Sequence, residues 1–182
     1  MNIPNLLSIF RLFVTIFFVA AITQGMYRTA LYLFILQGLT DLLDGFLARA
    51  MNKKTSLGAL LDPVADKAML ISSYVVLCIY NIIPLWVTMV ILLKDLTVAC
   101  GFLGLYKLFG MVKLAPTIFG KTSTFCQIFA VVYVLWSISF PAIAPPRAYQ
   151  SYLFYATAIL TVIAGIQYVT RGFRILLKKE AV

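Results

Sequence analysis

The 182-residue sequence contains no histidine, and only six of its side chains are Asp or Glu. Without imidazole there is no Ser-His-Asp triad, no His-ligated zinc and no histidine acid or base. Catalysis must therefore run on carboxylates, Lys, Arg, hydroxyls or bound metal. Cysteine is also scarce: Cys78, Cys100 and Cys126 stand singly in apolar stretches, without the paired spacing of a zinc or thioredoxin motif. They read as small lipid- or helix-facing residues. No internal repeat, low-complexity tract or second domain is evident, so one domain over residues 1–182 is expected.

What the chain has in excess is apolar side chains, 63% of the total, together with 15 Lys or Arg and a net charge of +9. That composition is of an all-α integral membrane protein, since a soluble core of this size needs far less apolar surface. The cations suit cytoplasmic loops and anionic headgroups. No basic stripe with interleaved aromatics speaks for nucleic acid. Six segments approach the roughly 20 residues that span a bilayer as helix: Leu6 to Gln24, Thr29 to Ala50, Leu57 to Tyr80, Pro84 to Leu105, Thr124 to Ala142 and Tyr149 to Tyr168. Turn residues punctuate them at Gln24-Gly25, Asn52 to Lys54, Asn81 to Pro84 and Pro141 to Pro146. The longest connection, Tyr106 to Lys121, is expected partly in the interface.

Counting cations by loop fixes the orientation. Arg49, Lys53, Lys54, Lys107, Lys113, Lys121, Arg171, Arg174, Lys178 and Lys179 collect on one face, against Arg28 and Arg147 on the other. Both termini are then cytoplasmic. The first segment lacks the basic n-region of a signal peptide, and five more spans follow it. Arg11, Lys67 and Lys94 fall inside apolar segments, where a charge costs several kcal/mol unless paired or hydrated.

The acids are gathered: Asp41, Asp44, Asp62 and Asp66 fall within 26 residues, and only Asp95 and Glu180 lie elsewhere. Spacings of three and four put Asp41 with Asp44 on one helix face and Asp62 with Asp66 on another. In a hairpin turning near residue 53, facing residues have position numbers with a near-constant total. The pairs 41 with 66, 44 with 62 and 48 with 58 satisfy that condition. Asp41 is thus expected to face Asp66, and Asp44 to face Asp62, with Ala48 and Gly58 allowing close helix approach. Four facing carboxylates cannot all stay ionised in a low dielectric unless positive charge sits between them. Two divalent cations would cancel the charge, and oxygen ligands alone select Mg²⁺, Mn²⁺ or Ca²⁺. At 1.5 Å per residue Asp66 lies roughly 14 Å along its helix from Leu57, which calls for a polar cavity open to the cytoplasm. Acids inside a membrane also suit the ion relay of a transporter. Gly45 and Ala48 have a plain reading as helix-packing residues. Arg49 serves either as an interfacial anchor or as a bidentate partner for phosphate.

The pattern Asp41-x2-Asp44-Gly45-x2-Ala48-Arg49-x8-Gly58-x3-Asp62-x3-Asp66 resembles the full signature of the CDP-alcohol phosphatidyltransferases. The resemblance implies a six-helix membrane enzyme in which the four aspartates hold two divalent cations, Mg²⁺ or Mn²⁺. Asp66 would also act as general base towards the acceptor hydroxyl, and Gly45, Arg49 and Thr55 would contact the CDP-linked donor. The implied reaction is attack of an alcohol on the lipid-bearing phosphorus of CDP-diacylglycerol with release of CMP. Two hard cations suit it, because they neutralise the diphosphate and stabilise the leaving phosphate. A homodimer in a bacterial inner membrane, with its site facing the cytoplasm, is implied as well.

The opening Asn2-Ile3-Pro4-Asn5-Leu6 is similar to members using glycerol-type acceptors, which makes Asn5 either a donor contact or a helix N-cap. Members that use glycerol 3-phosphate commonly show Arg-Glu in the fourth span and Gly-Lys-x-Lys-Thr before the fifth. Here those read Lys94-Asp95 and Gly120-Lys121-Thr122-Ser123-Thr124, so Ser123 replaces a lysine. With one cation fewer for a dianionic acceptor, and with Lys113 to Gln127 and Gly38 to Phe46 closer to cardiolipin synthases, the expected acceptor is phosphatidylglycerol. Glycerol 3-phosphate is the alternative. Lys94, Lys113 and Lys121 are the candidates for the acceptor phosphate, each with an interfacial-lysine reading beside it.

Overall fold

Two residues with left-handed backbone, Gly25 (φ +72°) and Asn81 (φ +57°), end two helices. Glycine, and after it asparagine, adopts that conformation most readily. At Gly25 the amide of Met26 donates to the Ala21 carbonyl at 2.8 Å, and the Gly25 amide to Ile22 at 3.0 Å. At Asn81 the amide of Ile82 donates to Leu77, and that of Asn81 to Cys78, both at 2.9 Å. Each is the paired C-terminal cap that satisfies carbonyls a helix leaves open. Both stand where the sequence is punctuated.

The structure is a computed structural model that describes residues 3–50, 56–109, 117–144 and 146–180. Side chains near several helix ends, including residues 42–50 and 56–66, lie outside that description. Among the described residues the fold is helical throughout: α1 (Ile3–Thr23), α2 (Tyr27–Ala50), α3 (Ser56–Ile79), α4 (Leu85–Phe109), α5 (Ile118–Ser139) and α6 (Arg147–Glu180), with a 3-10 turn at Pro141–Ile143. Three stretches, Leu85–Leu105, Ile118–Ser139 and Ala148–Ile175, are long and apolar enough to cross a membrane. Ile9–Thr23 and Lys67–Ile79 are shorter apolar helices within the described residues. Phe13, Ile16 and Phe17 on α1, Phe125 on α5 and Ile159 on α6 are exposed, a surface suited to lipid rather than water.

Two boundaries depart from the sequence expectation. Helix α5 begins at Ile118 rather than Thr124, because Thr117 caps it: its Oγ1 accepts from the Gly120 amide at 2.8 Å. Lys121 therefore lies in a helix, not in a connection. Helix α6 continues past Tyr168 to Glu180. Arg171, Arg174 and the lysines after them end the apolar run, yet Arg and Lys are good helix formers. Its 34 residues make a rod of about 50 Å, longer than the roughly 30 Å hydrocarbon core.

The chain forms two compact units, Met1–Ile83 with Val131–Pro145, and Pro84–Ala130 with Pro146–Val182. In the first, α1 packs along both α2 and α3. Val14, Phe18 and Ile22 of α1 recur at helical spacing and are buried, as are Ala30, Leu31 and Phe34 of α2 and Leu70, Tyr74 and Leu77 of α3. The rings of Phe18 and Phe34 meet at 5.8 Å, tilted by 48°. At the start of α2 the Arg28 Nε donates to the Ser139 carbonyl at 3.0 Å, and its guanidinium lies 5.1 Å over the Phe140 ring. In the second unit α4 packs on α6. Trp86 stacks on Tyr155 at 5.2 Å, and the Gln127 amide donates to Thr161 Oγ1 at 3.0 Å.

Candidate active site

Helix α2 carries Asp41, Asp44, Gly45 and Arg49, and α3 carries Asp62 and Asp66. All six are helical, so the spacing that places each acid pair on one helix face holds in the backbone. Of the four aspartates, Asp41 is the one whose side chain is described. The expected facing of Asp41 with Asp66 and of Asp44 with Asp62 lies outside the described side chains, as do the side chains of Gly45's neighbour Phe46 and of Arg49. Thr55 and Lys113 lie outside the described residues. Asn5 is in the first turns of α1, its side chain likewise outside. Among the described residues no three His, Cys, Asp or Glu side chains come together.

Among the described residues Asp41 pairs with Arg11. Arg11 of α1 places Nη1 2.7 Å from Asp41 Oδ1. The arginine side chain is 1% exposed and the aspartate 47%, so the pair reaches from the protein interior to an open edge. Behind it, the Thr15 hydroxyl donates to the Arg11 carbonyl at 2.9 Å. The Gln37 amide nitrogen donates to that same carbonyl at 2.9 Å and to Thr15 Oγ1 at 2.8 Å. These bonds satisfy polar groups that would otherwise be costly to bury, and they fix α1 against α2 one turn before Asp41.

Arg11 is a buried cation whose partner the segment-by-segment sequence pattern leaves open. A signal was available. The α1–α2 hairpin turns at Gly25, and the pairs Phe18 with Phe34, Thr15 with Gln37 and Arg11 with Asp41 have position numbers with the same total. That is the constant-total condition used for the α2–α3 pair, applied one hairpin earlier.

The donor set fits a hard cation. Asp41 offers a half-exposed carboxylate that accepts from Arg11 at Oδ1, and the four aspartates of α2 and α3 would supply only oxygen donors, without His or Cys. Asp44, Asp62 and Asp66 are the helical positions that would complete it.

The lysine candidates are placed differently. Lys94 is buried in α4, its Nζ 3.0 Å from Asp95 Oδ1, with both side chains 7% exposed. Its stem packs against Gly165 of α6, with Cγ 3.4 Å from where a Cβ there would stand. A groove of about 360 Å³ runs beside it between α4 and α6, lined largely by apolar side chains with Thr97, Thr161 and Thr170. Lys121 is exposed in the first turn of α5. Ser123, which stands where a lysine was looked for, is fully buried and donates to the Gly120 carbonyl at 3.0 Å. That position faces packing, so its lack of a cation says little about an acceptor.

The model of the CDP-alcohol phosphatidyltransferase family matches residues 1–163, a stretch that runs through both compact units. The chain belongs to this family and is an enzyme of its class, a transferase of phospholipid biosynthesis. It is similar to a protein of Haemophilus influenzae, 34% identical over 181 residues, covering 92% of this chain and 91% of the relative. It is also similar to one of Escherichia coli K12, 32% identical over 180 residues and 93% of each chain. Both are named CDP-diacylglycerol--glycerol-3-phosphate 3-phosphatidyltransferase. Those names give glycerol 3-phosphate as the acceptor of these two relatives, whereas the fourth and fifth spans of this sequence point to phosphatidylglycerol.

Proposed function

We propose that this enzyme transfers the phosphatidyl group of CDP-diacylglycerol to a hydroxyl of glycerol 3-phosphate and releases CMP. The observation that carries the acceptor is similarity over more than nine-tenths of the chain to two bacterial enzymes named for it. The buried Ser123 supports it by removing the argument that a cation is missing. Family membership also sets aside the transporter reading of the acids.

In this reading Asp41, Asp44, Asp62 and Asp66 would hold two divalent cations, Mg²⁺ or Mn²⁺. When bound, such cations neutralise the diphosphate and stabilise charge on the departing phosphate. The acceptor hydroxyl attacks the lipid-bearing phosphorus, the bond from that phosphorus to the CMP oxygen breaks, and the hydroxyl proton passes to the Asp66 carboxylate. Gly45, Arg49, Thr55 and Asn5 are the proposed donor contacts. A guanidinium at Arg49 suits a phosphate through its bidentate fork. Lys94, Lys113 and Lys121 are the proposed acceptor contacts. The protein is a six-span homodimer of a bacterial inner membrane, with both termini and the active site on the cytoplasmic side, consistent with the distribution of its cations.

The test offers labelled glycerol 3-phosphate and phosphatidylglycerol side by side to purified protein in detergent with CDP-diacylglycerol and Mg²⁺ or Mn²⁺. CMP release with formation of phosphatidylglycerophosphate is expected. Cardiolipin as the product would return the acceptor to phosphatidylglycerol, and no CMP with either acceptor would sink the reading.

A further inference from the structure

The Arg11–Asp41 pair is lopsided. An ion pair that only braced two helices would gain little from a half-exposed carboxylate, while burying a guanidinium carries a large desolvation cost. Arg11 is nevertheless 1% exposed. Its backbone is held by the bonds that Thr15 and Gln37 donate to its carbonyl, and its planar fork has a fixed geometry that lysine lacks. The guanidinium therefore stands at a defined point behind Asp41. It donates to Oδ1 at 2.7 Å, and the Asp41 side chain as a whole is 47% exposed.

We infer that Arg11 is a positioning residue that makes Asp41 a one-oxygen ligand and thereby biases the site against Ca²⁺. The inference rests on the metal-holding role proposed above for Asp41. A carboxylate with one oxygen claimed by a guanidinium presents the other singly, as the near-ideal octahedron of Mg²⁺ requires. Ca²⁺ takes six to eight oxygens and gains from carboxylates that close on it with both. Oδ1 keeps a second lone pair, but the positive charge 2.7 Å away repels a cation that closes on both oxygens and so disfavours that option for Asp41. Arg11 acts on selectivity through Asp41 and need not touch either substrate.

The experiment measures Mn²⁺ binding to detergent-solubilised full-length protein without substrates, from the free-ion electron paramagnetic resonance signal, with Mg²⁺ or Ca²⁺ as competitor. Wild type is compared with Arg11→Met and Arg11→Gln. Losing a positive charge strengthens binding of every divalent ion, so the informative quantity is the ratio of Ca²⁺ to Mg²⁺ affinity, from which a common charge effect cancels. That ratio is expected to rise about tenfold in both variants, the lower end of what outer-shell partners do to metal affinity. A purely bracing arginine would lower thermal stability and leave the ratio within about twofold of wild type, which overturns the inference. Should Arg11→Met not give monodisperse protein, Arg11→Gln, which keeps a polar group in the buried slot, decides alone. Absence of Mn²⁺ binding in wild type would overturn the metal role of Asp41 itself, an outcome distinct from bound metal with an unmoved ratio.

Discussion

The Gln37 side-chain amide donates to Thr15 Oγ1 at 2.8 Å and, through the same nitrogen, to the Arg11 carbonyl at 2.9 Å. Both amide protons are used, and Gln37 Oε1 is buried without a hydrogen-bond partner among the described residues. The arrangement trades an unpaired oxygen for a locked α1–α2 contact one turn from Asp41. Gln37→Met keeps the volume and removes both donors. It is expected to cost about 1–2 kcal/mol, the loss of buried hydrogen bonds offset in part by loss of the unpaired oxygen. Thr15→Val should cost about 1 kcal/mol, and the double variant less than the two together, because they share a bond. Thermal unfolding in detergent checks all three; strict additivity would show that the two residues do not act as a unit.

The Lys94–Asp95 pair gives a second expectation. Both side chains are 7% exposed, so removing the lysine alone takes away the cation 3.0 Å from a buried carboxylate. Lys94→Met should destabilise by about 3–5 kcal/mol, whereas Lys94→Met with Asp95→Leu should recover most of it. If the single variant is as stable as wild type, the pair contributes little to stability, and Lys94 is more readily spared for an acceptor phosphate.

Turn chemistry, helical period and the gathering of acids were legible in the sequence because each is local. Gly25 and Asn81 sit where the punctuation is, and the α2 and α3 acids keep their helical spacing. The partner of Arg11 was not legible from span-by-span reading: an apolar segment shows that a buried cation needs a counter-ion, not that Asp41 supplies it from thirty positions away. Helix α6 ran long because charge marks the edge of an apolar run and does not stop a helix. Ser123 carries little weight for the acceptor, since sequence comparison counts a missing charge there while the fold shows a buried hydroxyl bonded within its own helix.

The cap of α5 is open to a direct check. Thr117 is 2% exposed, and its Oγ1 takes the Gly120 amide. Thr117→Ala should lower stability by about 1 kcal/mol, and Thr117→Ser should restore most of it. Hydrogen exchange of the Gly120 amide should quicken in the alanine variant alone. Equal exchange in all three would remove Thr117 as the cap and leave the early start of α5 without its cause.

The catalytic assignments separate by what each variant keeps. Asp66→Asn preserves shape and one oxygen ligand but cannot take the acceptor proton, so CMP release should fall by at least about a hundredfold, the lower end for a lost general base. CDP-diacylglycerol should still bind with affinity near wild type. Asp44→Ala removes a ligand outright, and both Mn²⁺ and donor affinity should weaken together. Single-turnover CMP release with parallel donor-binding titrations distinguishes the two. If Asp66→Asn turned over at the wild-type rate, Asp66 would not be the base; if it lost donor binding as Asp44→Ala does, its role would be confined to holding metal.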